Sequence, residues 1–349
     1  MGTKEIVDEI RQKREIALEQ LTELLTCPEG ERLQPLYDQA QKVMLQHYGK
    51  RVFMRGLIEI SNHCKNDCRY CGIRRSQRDV RRYRLSKEEI LECCREGYAL
   101  GFRTFVLQGG EDAWFDDERM VSIVRAIHST HPDCAITLSL GERSRESYQR
   151  LYDAGANRYL LRHETADSDH YRFLHPDEMS FEHRMQCLQE LKEIGYQVGC
   201  GFMVGSPRQT LATLLKDLQF IRRFEPEMVG IGPFIPATGT PLAEYPAGSV
   251  GCTLRLLAII RLLLPKVLLP ATTALGTLAP EGREQALRAG ANVIMPNLSP
   301  QRHRKEYSIY DHKLATDSEA AESAEEIRSR LKKIGREAPP DRGDWKHDD

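Results

Sequence analysis

Eight short apolar runs, each followed by an amphipathic stretch, dominate the sequence from residue 53 onward. Apolar runs of this length between turn residues predict buried strands. The predicted strands are 53–60, 104–108, 135–139, 158–163, 197–204, 228–232, 267–272 and 292–296. Strands that alternate with helices pair in parallel, and eight such units close a (β/α)8 barrel of the TIM type. An open doubly wound sheet is the alternative, but no G-x-G-x-x-G follows the first strand.

Apolar residues at helical spacing predict the helices that separate and flank these strands. The predicted helices are 3–26, 33–48, 86–100, 116–130, 144–155, 180–194, 210–224, 252–264, 281–289 and about 318–334. The chain therefore divides into an N-terminal helical extension (1–50), the barrel (51–315) and a C-terminal helix with a polar tail (316–349). We expect the tail from residue 335 to lie on the surface or to fray.

Charge and composition exclude several classes of protein. The formal net charge of -1 gives no reason to expect nucleic acid or an anionic membrane as a partner. The sequence contains no run of 18 apolar residues, so it predicts no membrane-spanning helix. Its first residues lack the charged-then-apolar pattern of a signal peptide. Ten cysteines without an export signal indicate reduced thiols in the cytoplasm. Charge runs alone do not identify a surface for a protein partner.

Three cysteines, Cys64, Cys68 and Cys71, follow the first predicted strand with the spacing C-x3-C-x2-C. Disulfides would leave one of them unpaired, and a closed structural zinc site needs four ligands. Soft sulfur ligands suit an iron–sulfur cluster, and a cubane held by three cysteines keeps one iron open for another ligand. A partial zinc site or a chance grouping is the alternative.

In a barrel of this type the chemistry sits at the C-terminal ends of the strands. The second strand is followed by Gly109, Gly110 and Glu111. The glycines let the backbone approach a ligand, and the acid can accept a hydrogen bond from an ammonium group. A simple βα turn with a helix-capping acid is the alternative. On the third strand, Thr137 and Ser139 share one face.

The fourth predicted strand ends in charged residues. In a strand that continues through residue 164, Arg162 and Glu164 point in the same direction and His163 points elsewhere. Charges inside a barrel are costly unless they bind a ligand or each other. We therefore favour a ligand role over a structural ion pair, and expect His163 to be structural. The seventh strand adds Thr272 and Thr273. Such a lining suits a zwitterion and a small polar or anionic second ligand.

The cysteine loop resembles the signature of the radical S-adenosylmethionine (SAM) enzymes, and Tyr70 matches the aromatic that precedes their third cysteine. In that superfamily the amino and carboxylate groups of SAM bind the open iron. Longer blocks resemble the family of the FeFe-hydrogenase maturase HydE. These blocks are 59–62, 82–84, 138–142, 158–165, 230–236, 270–274 and 290–297.

The resemblance implies one [4Fe-4S] cluster on the three cysteines, with SAM beside it. It implies that the SAM site and its surroundings include Tyr70, Gly109, Gly110, Glu111, Ser139, Glu164, Arg184, Met228 and Ile231. It also implies that the substrate cavity is lined by Arg162, Thr137, Thr272 and Thr273. The family matures the di-iron subcluster of the hydrogenase. Its substrate is thought to be a small organometallic complex, a cysteine-bound iron with CO and cyanide, delivered by a partner maturase and attacked at sulfur by the adenosyl radical.

Some members of this family carry three further cysteines after the eighth strand, which hold a second cluster. Residues 313–323 contain no cysteine here, so we predict a single cluster. Methylornithine synthase, which shares the barrel and the single cluster, is the main alternative within the superfamily. Biotin synthase is disfavoured because it needs a second cluster in the barrel. A non-enzymatic iron–sulfur scaffold or carrier would explain the cysteine loop but not the polar lining of the strands.

Overall fold

The computed structural model describes residues 2–314 and 320–346. Three helices come first: α1 (Thr3–Lys13), α2 (Leu18–Thr26) and α3 (Gln34–Tyr48). The predicted helix 3–26 is thus two helices, because Arg14 takes a left-handed conformation (φ 56°) that ends α1. Buried residues of these helices belong to the same hydrophobic cluster as the barrel.

The remaining elements alternate as the sequence predicts. In chain order they are β1 (Phe53–Met54), β2 (Gly56–Ser61), α4 (Lys87–Ala99), β3 (Thr104–Gly109), α5 (Asp117–Thr130), β4 (Ala135–Ser139), α6 (Arg145–Asp153), β5 (Arg158–Leu160), α7 (Ser168–Leu174), α8 (Phe181–Ile194), β6 (Gln197–Cys200), β7 (Met203–Val204), α9 (Leu211–Phe224), β8 (Met228–Val229), β9 (Gly232–Pro233), α10 (Val250–Leu263), α11 (Thr273–Leu278), α12 (Gly282–Arg288), β10 (Val293–Ile294), α13 (Gln301–Arg304) and α14 (Ala320–Lys333).

Parallel pairing runs around a ring of strands. The main sheet has the order β2-β3-β4-β5-β6-β8. Single parallel bridges then link β8 to Leu268 and Pro270 to Val293, and β10 pairs with β1, which leads into β2. The backbone N–H of Val229 donates to the carbonyl of Leu268 at 3.0 Å, and Phe53 N–H donates to the carbonyl of Asn292 at 2.9 Å. The predicted (β/α)8 barrel is confirmed.

From the fourth predicted strand onward, the strands end earlier than predicted or are interrupted, whereas the first three reach or pass their predicted ends. The run 197–204 divides into β6 and β7 at Gly201 (φ 154°), where a Cβ would lie 1.9 Å from the carbonyl oxygen of Gly230. The run 267–272 forms single bridges rather than a strand, and Pro270 has no N–H to offer a neighbour. Regular pairing therefore stops where the chain has to open around a cavity.

Of the two expectations for the polar tail, a surface position or fraying, the second is wrong for residues 337–346. Val52 N–H donates to the carbonyl of Glu337 at 2.8 Å. Asp344 accepts a bond from the buried Arg158 at 2.5 Å, and Gly343 (φ 59°) packs so closely that a Cβ would lie 2.6 Å from the ring of Phe53. All the barrel residues in these contacts precede or begin strands. The tail therefore covers the N-terminal end of the barrel.

The helical extension packs against the outside of the barrel. Helix α3 contacts α1, α10 and α12, and α2 contacts α9. Among residues 2–314 and 320–346, no helix combines the length and apolar character needed to cross a bilayer.

Candidate active site

A cavity of about 380 Å³ opens at the C-terminal end of the barrel, within the range usual for small-molecule sites. Fourteen of the residues singled out from the sequence line it. They are Cys64, Cys68, Tyr70, Cys71, Gly109, Gly110, Glu111, Ser139, Arg162, Glu164, Arg184, Met228, Thr272 and Thr273. The cavity lies at the end of the barrel opposite to the tail.

Two of the candidate residues lie elsewhere. Thr137 lies two residues before Ser139 on β4, which is roughly 6.5 Å deeper along the strand. It lines a small separate void with Arg55 and Arg158. Ile231 is fully buried in the hydrophobic core, between two glycines that do line the cavity.

The guanidinium group of Arg82 holds the cysteine loop in place. Arg82 donates through Nη1 to the carbonyls of Asn62 and Ile73 (2.8 Å for the latter), and through Nη2 to those of Arg74 (2.6 Å) and Gln77 (3.1 Å). Four carbonyls oriented by one guanidinium fix a segment that has no regular secondary structure. Contacts within residues 62–82 therefore fix the shape of the cysteine loop.

Glycines allow the loops at the strand ends to approach one another. A Cβ on Gly110 would lie 2.2 Å from the carbonyl oxygen of His63 and 2.8 Å from Cβ of Cys64. Gly141 has a positive φ of 74°, and a Cβ there would lie 2.0 Å from Cγ of Glu111. Larger residues at either position would displace the cysteine loop or the glutamate.

The three thiols fit an iron–sulfur cluster. Burial raises the pKa of Cys64 and Cys68, and raises the pKa of Cys71 to about 12, so each thiolate needs a nearby positive charge. All three cysteines are free. In the described part of the chain, no three Cys, His, Asp or Glu side chains are placed to share one metal ion. A cubane does not require that arrangement, because each thiolate binds a different iron.

Carboxylates and guanidinium groups form a chain along one wall of the cavity. Arg184 donates through Nε to Glu142 at 2.6 Å and through Nη1 to the carbonyl of Arg162 at 2.6 Å. Its Nη2 lies 4.0 Å from Oε1 of Glu111. Arg162 and Glu164 approach to 3.2 Å between Nη2 and Oε2. This wall presents both charge signs.

Several polar atoms of the cavity are buried without a hydrogen-bond partner among the described residues. They are Oε2 of Glu111, Nε and Nη2 of Arg162, Oε2 of Glu164 and Oγ1 of Thr272. Two charged contacts of 3.2 Å, between Arg162 and Glu164 and between Lys65 Nζ and Oε2 of Glu111, therefore lack hydrogen-bond geometry. Buried polar groups are almost always paired, so a concentration of unpaired acids and donors indicates a ligand with both charges. The amino and carboxylate groups of SAM meet that description.

Glu164 has a backbone conformation that is rare for a residue with a side chain (φ 63°). Its N–H donates to the carbonyl of Gly201 at 3.0 Å, which ties it to the next loop of the barrel. Conformations of this kind persist where the surroundings enforce them, and they cluster at functional sites. His163 is fully buried, with Nε2 3.4 Å from Asp217, in agreement with a structural role.

Tyr70 closes the apolar side of the cavity. Its hydroxyl lies 3.3 Å from Nε2 of His175, and its ring packs against a cluster that includes Met203 and Phe234. Burial, and then the nearby Arg184, lower the pKa of His175 to about 3, so its imidazole is neutral. This side of the cavity suits a flat, uncharged group.

Sequence reasoning missed the wall opposite to Arg162. Glu59 is fully buried there, and it accepts bonds from Lys313 Nζ and, at 2.9 Å, from Asn297 Nδ2. Lys313 Nζ also donates to the carbonyl of Tyr307 at 2.9 Å. Glu59 could have been found as a single acid inside an apolar strand. Lys313 lies in a loop after the last strand, so neither strand nor helix periodicity predicts the direction of its side chain.

The comparisons with known proteins agree with this geometry. The profile of the Radical SAM superfamily matches residues 58–221. The [FeFe] hydrogenase maturase subunit HydE of Thermotoga maritima is 45% identical over 90% of this chain and 89% of its own length. The 3-methylornithine synthase of Methanosarcina acetivorans is 32% identical over 92% and 89%, respectively.

A crystal structure of methylornithine synthase (PylB) superposes with a TM-score of 0.85 at 29% identity, and the match covers 95% of this chain and 97% of that one. The identity to HydE exceeds that to the methylornithine synthases of both Methanosarcina species. The chain is thus a radical SAM enzyme, with a [4Fe-4S] cluster and SAM as its cofactors, and it belongs to the family of the FeFe-hydrogenase maturase HydE.

Proposed function

We propose that this enzyme cleaves SAM reductively and acts in assembly of the di-iron subcluster of FeFe-hydrogenase, on a cysteine-bound iron that carries CO and cyanide. The observation that carries the proposal is the group of unpaired buried polar atoms beside the three free thiols. When bound, the cluster and SAM supply one electron and a 5′-deoxyadenosyl radical, together with methionine.

The chain's own residues bind and orient the cofactor. Cys64, Cys68 and Cys71 hold the cluster. Glu111 and Glu164 accept hydrogen bonds from the ammonium group of SAM, in keeping with their Oε2 atoms, which accept no hydrogen bond from the described residues. Ser139 and Arg184 lie on the same wall, and Tyr70 and Met228 supply apolar contacts for the adenosine.

The deeper part of the cavity holds the substrate. Arg162 and Thr272 offer buried donors without partners, and Thr273 lies next to them. Donors of this kind suit cyanide nitrogen, CO oxygen or a carboxylate. Glu59 and Lys313 form the opposite wall, where an amino acid's ammonium and carboxylate can bind. A cavity of about 380 Å³ admits a small molecule rather than a peptide segment.

Exclusion of water is the remaining task of the fold. A primary carbon radical abstracts the nearest available hydrogen, so a closed site protects the intended reaction. The tail covers the far end of the barrel, while Lys313 and Tyr307 cover part of the near end. We further propose transient contact with other hydrogenase maturases, and a cytoplasmic location that keeps all ten cysteines reduced.

The test is anaerobic. The protein is reconstituted with iron and sulfide, irons are counted, and dithionite and SAM are added. We expect about four irons per chain and formation of 5′-deoxyadenosine. A synthetic cysteine-bound Fe(CO)2CN complex should then accelerate SAM cleavage. Bound zinc without SAM cleavage would refute the cofactor assignment, and conversion of added lysine to its isomer 3-methylornithine would refute the hydrogenase role.

A further inference from the structure

The segment that carries the cluster cysteines is strongly basic. Residues 65–84 contain two acidic and eight basic side chains, whereas the whole chain has a formal net charge of -1. The basic residues are Lys65, Arg69, Arg74, Arg75, Arg78, Arg81, Arg82 and Arg84. Positive charge is therefore concentrated in this segment, because the rest of the chain has 42 basic and 49 acidic residues and a formal net charge of -7.

Several of these charges reach solvent. The side chains of Lys65, Arg75 and Arg81 are 61%, 60% and 86% exposed, although Nζ of Lys65 also lies 3.2 Å from Oε2 of Glu111. The contacts of Arg75 with Glu178 (3.9 Å) and of Arg81 with Glu306 (3.3 Å) are loose or exposed pairs, which contribute little.

The other basic residues of the segment differ in the contacts that they make with the rest of the protein. Arg78 is exposed, without a carboxylate partner among residues 2–314 and 320–346. Arg82 and Arg74 instead hold the cysteine loop through backbone carbonyls and Asp67. Arg75, Arg78 and Arg81 therefore have no evident structural role.

A depression beside this segment leads to the cluster loop. It has a volume of about 330 Å³ and is lined by His63, Cys64, Lys65, Arg75, Arg82, Arg84, Glu111, Asp112 and Ala113. Cys64 and Glu111 also line the main cavity. The depression therefore lies on the outer side of the same loop. A protein that docked there would be separated from the cluster by little more than the loop around Cys64.

An exposed tryptophan stands beside the depression. Trp114 is 39% exposed, and the guanidinium groups of Arg84 and Arg119 lie 5.8 and 4.7 Å from its ring centroid. Arg84 is itself fixed by a two-point contact with Asp112, at 2.7 and 3.0 Å. Tryptophan and arginine are the residues that most often dominate protein–protein contacts.

We propose that this basic face, defined as Lys65, Arg75, Arg78, Arg81, Arg84 and Trp114, docks a small acidic one-electron carrier protein that reduces the cluster. The inference rests on the proposed function, which needs one electron for each cleavage of SAM. One electron leaves the reduced carrier, which becomes oxidised by one electron, and the cluster gains it. No bond or proton changes hands in this step.

Opposite charge on the carrier explains why the face is basic. Complementary charges raise the rate of encounter and select the partner, and the effect weakens as salt screens it. Placement against Cys64 selects an electron carrier over other acidic partners, because only electron transfer requires closeness to the cluster. A nucleic acid would gain nothing from that placement.

The experiment uses a flavodoxin as the carrier. The triple variant Arg75→Glu/Arg78→Glu/Arg81→Glu is compared with Lys4→Glu/Arg11→Glu/Lys42→Glu, which changes the charge equally at exposed positions on α1 and α3. Binding of oxidised flavodoxin is titrated at low and high salt, and 5′-deoxyadenosine is measured with reduced flavodoxin and, separately, with dithionite.

We expect the triple variant to weaken flavodoxin binding by about 10- to 100-fold at low salt and to slow flavodoxin-driven cleavage similarly. Dithionite-driven cleavage should not change in either variant. Equal binding by parent and triple variant, or an equal loss in the control, would overturn the proposal, as would a DNA duplex that displaces flavodoxin from the face. Failure of the parent with dithionite would refute the proposed function instead, while the binding comparison would still test the face.

Discussion

The two ends of the barrel differ in how fully their arginine side chains are hydrogen-bonded. At the tail end, Arg158 donates to Thr104 (3.0 Å), Gln197 (3.2 Å), the carbonyl of Arg342 (2.9 Å) and Asp344 (2.5 Å). At the cavity end, four residues further along the same strand and loop, Arg162 has two nitrogen atoms without a hydrogen bond among the described residues.

The difference separates charge that builds the fold from charge kept for a ligand. A fully bonded buried arginine stabilises its surroundings, and its loss leaves other groups unpaired. An arginine with unused donors costs stability until a ligand binds. The cavity end is thus preorganised at the expense of stability, while the tail end secures the barrel.

The largest effect is expected at the cluster. Cys68→Ala should reduce 5′-deoxyadenosine formation to background, because a cubane with two protein thiolates is not retained. Iron content and product formation after reconstitution provide the measurement. Cys252→Ala on α10 serves as the control and should retain both. Wild-type iron content and SAM cleavage in Cys68→Ala would show that the loop does not hold the cluster.

The paired variants Arg158→Gln and Arg162→Gln test the comparison itself. Arg158→Gln should lower the free energy of unfolding by about 2–3 kcal/mol, since several bonds are lost while the half-exposed Asp344 can be rehydrated. Arg162→Gln should change it by less than about 1 kcal/mol and slow substrate turnover by about 100-fold, with SAM cleavage retained.

Urea denaturation and product assays separate the two effects of these variants. If Arg162→Gln destabilised the protein as much as Arg158→Gln, the distinction between the two ends of the barrel would be lost.

Glu164 offers a smaller test of preorganisation. Glu164→Gly should leave stability within about 1 kcal/mol of the parent, because relief of the left-handed backbone offsets the flexibility of glycine in the unfolded chain. SAM affinity should fall about tenfold. Glu225→Gly is the matched control, since Glu225 has a similar conformation (φ 49°) at the end of α9, away from the cavity. Equal loss of SAM affinity in both variants would argue against a binding role for Glu164.

The tail should respond to acid. Burial alone would raise the pKa of Asp344, but Arg158 and Arg342 outweigh it and hold the pKa below its ordinary value. A lowered pKa in the folded state means that the contribution is complete above about pH 4 and is lost as the pH falls through the folded value.

Fluorescence of Trp345, in a Trp114→Phe background, reports release of the tail as the pH falls. Asp344→Asn should weaken the contact between the tail and the N-terminal end of the barrel already at pH 7. It should also remove the Asp344 contribution to this transition. An unchanged acid transition in Asp344→Asn would assign it to other carboxylates.

Strand and helix periods predict the barrel and the polar residues at its strand ends, whereas Tyr70, Arg184 and Met228 are implied only by the family resemblance. Strand and helix periods set which residues face inward, and parallel strands bring their C-terminal ends together. A period of two fixes a face but not a depth, so it groups Thr137 with Ser139 although Thr137 lies deeper than the cavity. At Ile231, the glycines on either side mark where the chain meets the cavity, while the isoleucine packs into the core.

Other features depend on contacts that no local pattern contains. The tail is polar in sequence, yet it finds partners in Arg158, Thr104 and the backbone at Val52, which lie far away along the chain. The pairing of Glu59 with Lys313 likewise joins residues at opposite ends of the barrel sequence. These contacts form only when the chain folds, so neither local sequence patterns nor composition predict them.

The position of these closing contacts along the chain has a consequence in time. The cysteine loop and its supporting arginine are complete once the first quarter of the chain is made, whereas Lys313 and the tail that seal the two ends come last. At ordinary rates of synthesis, the 275 residues from Cys71 to Lys346 take roughly 14–55 s. During that interval the cluster loop exists without a sealed barrel around it. The nascent chain thus exposes the cysteine loop to iron and sulfide more widely than the finished protein does.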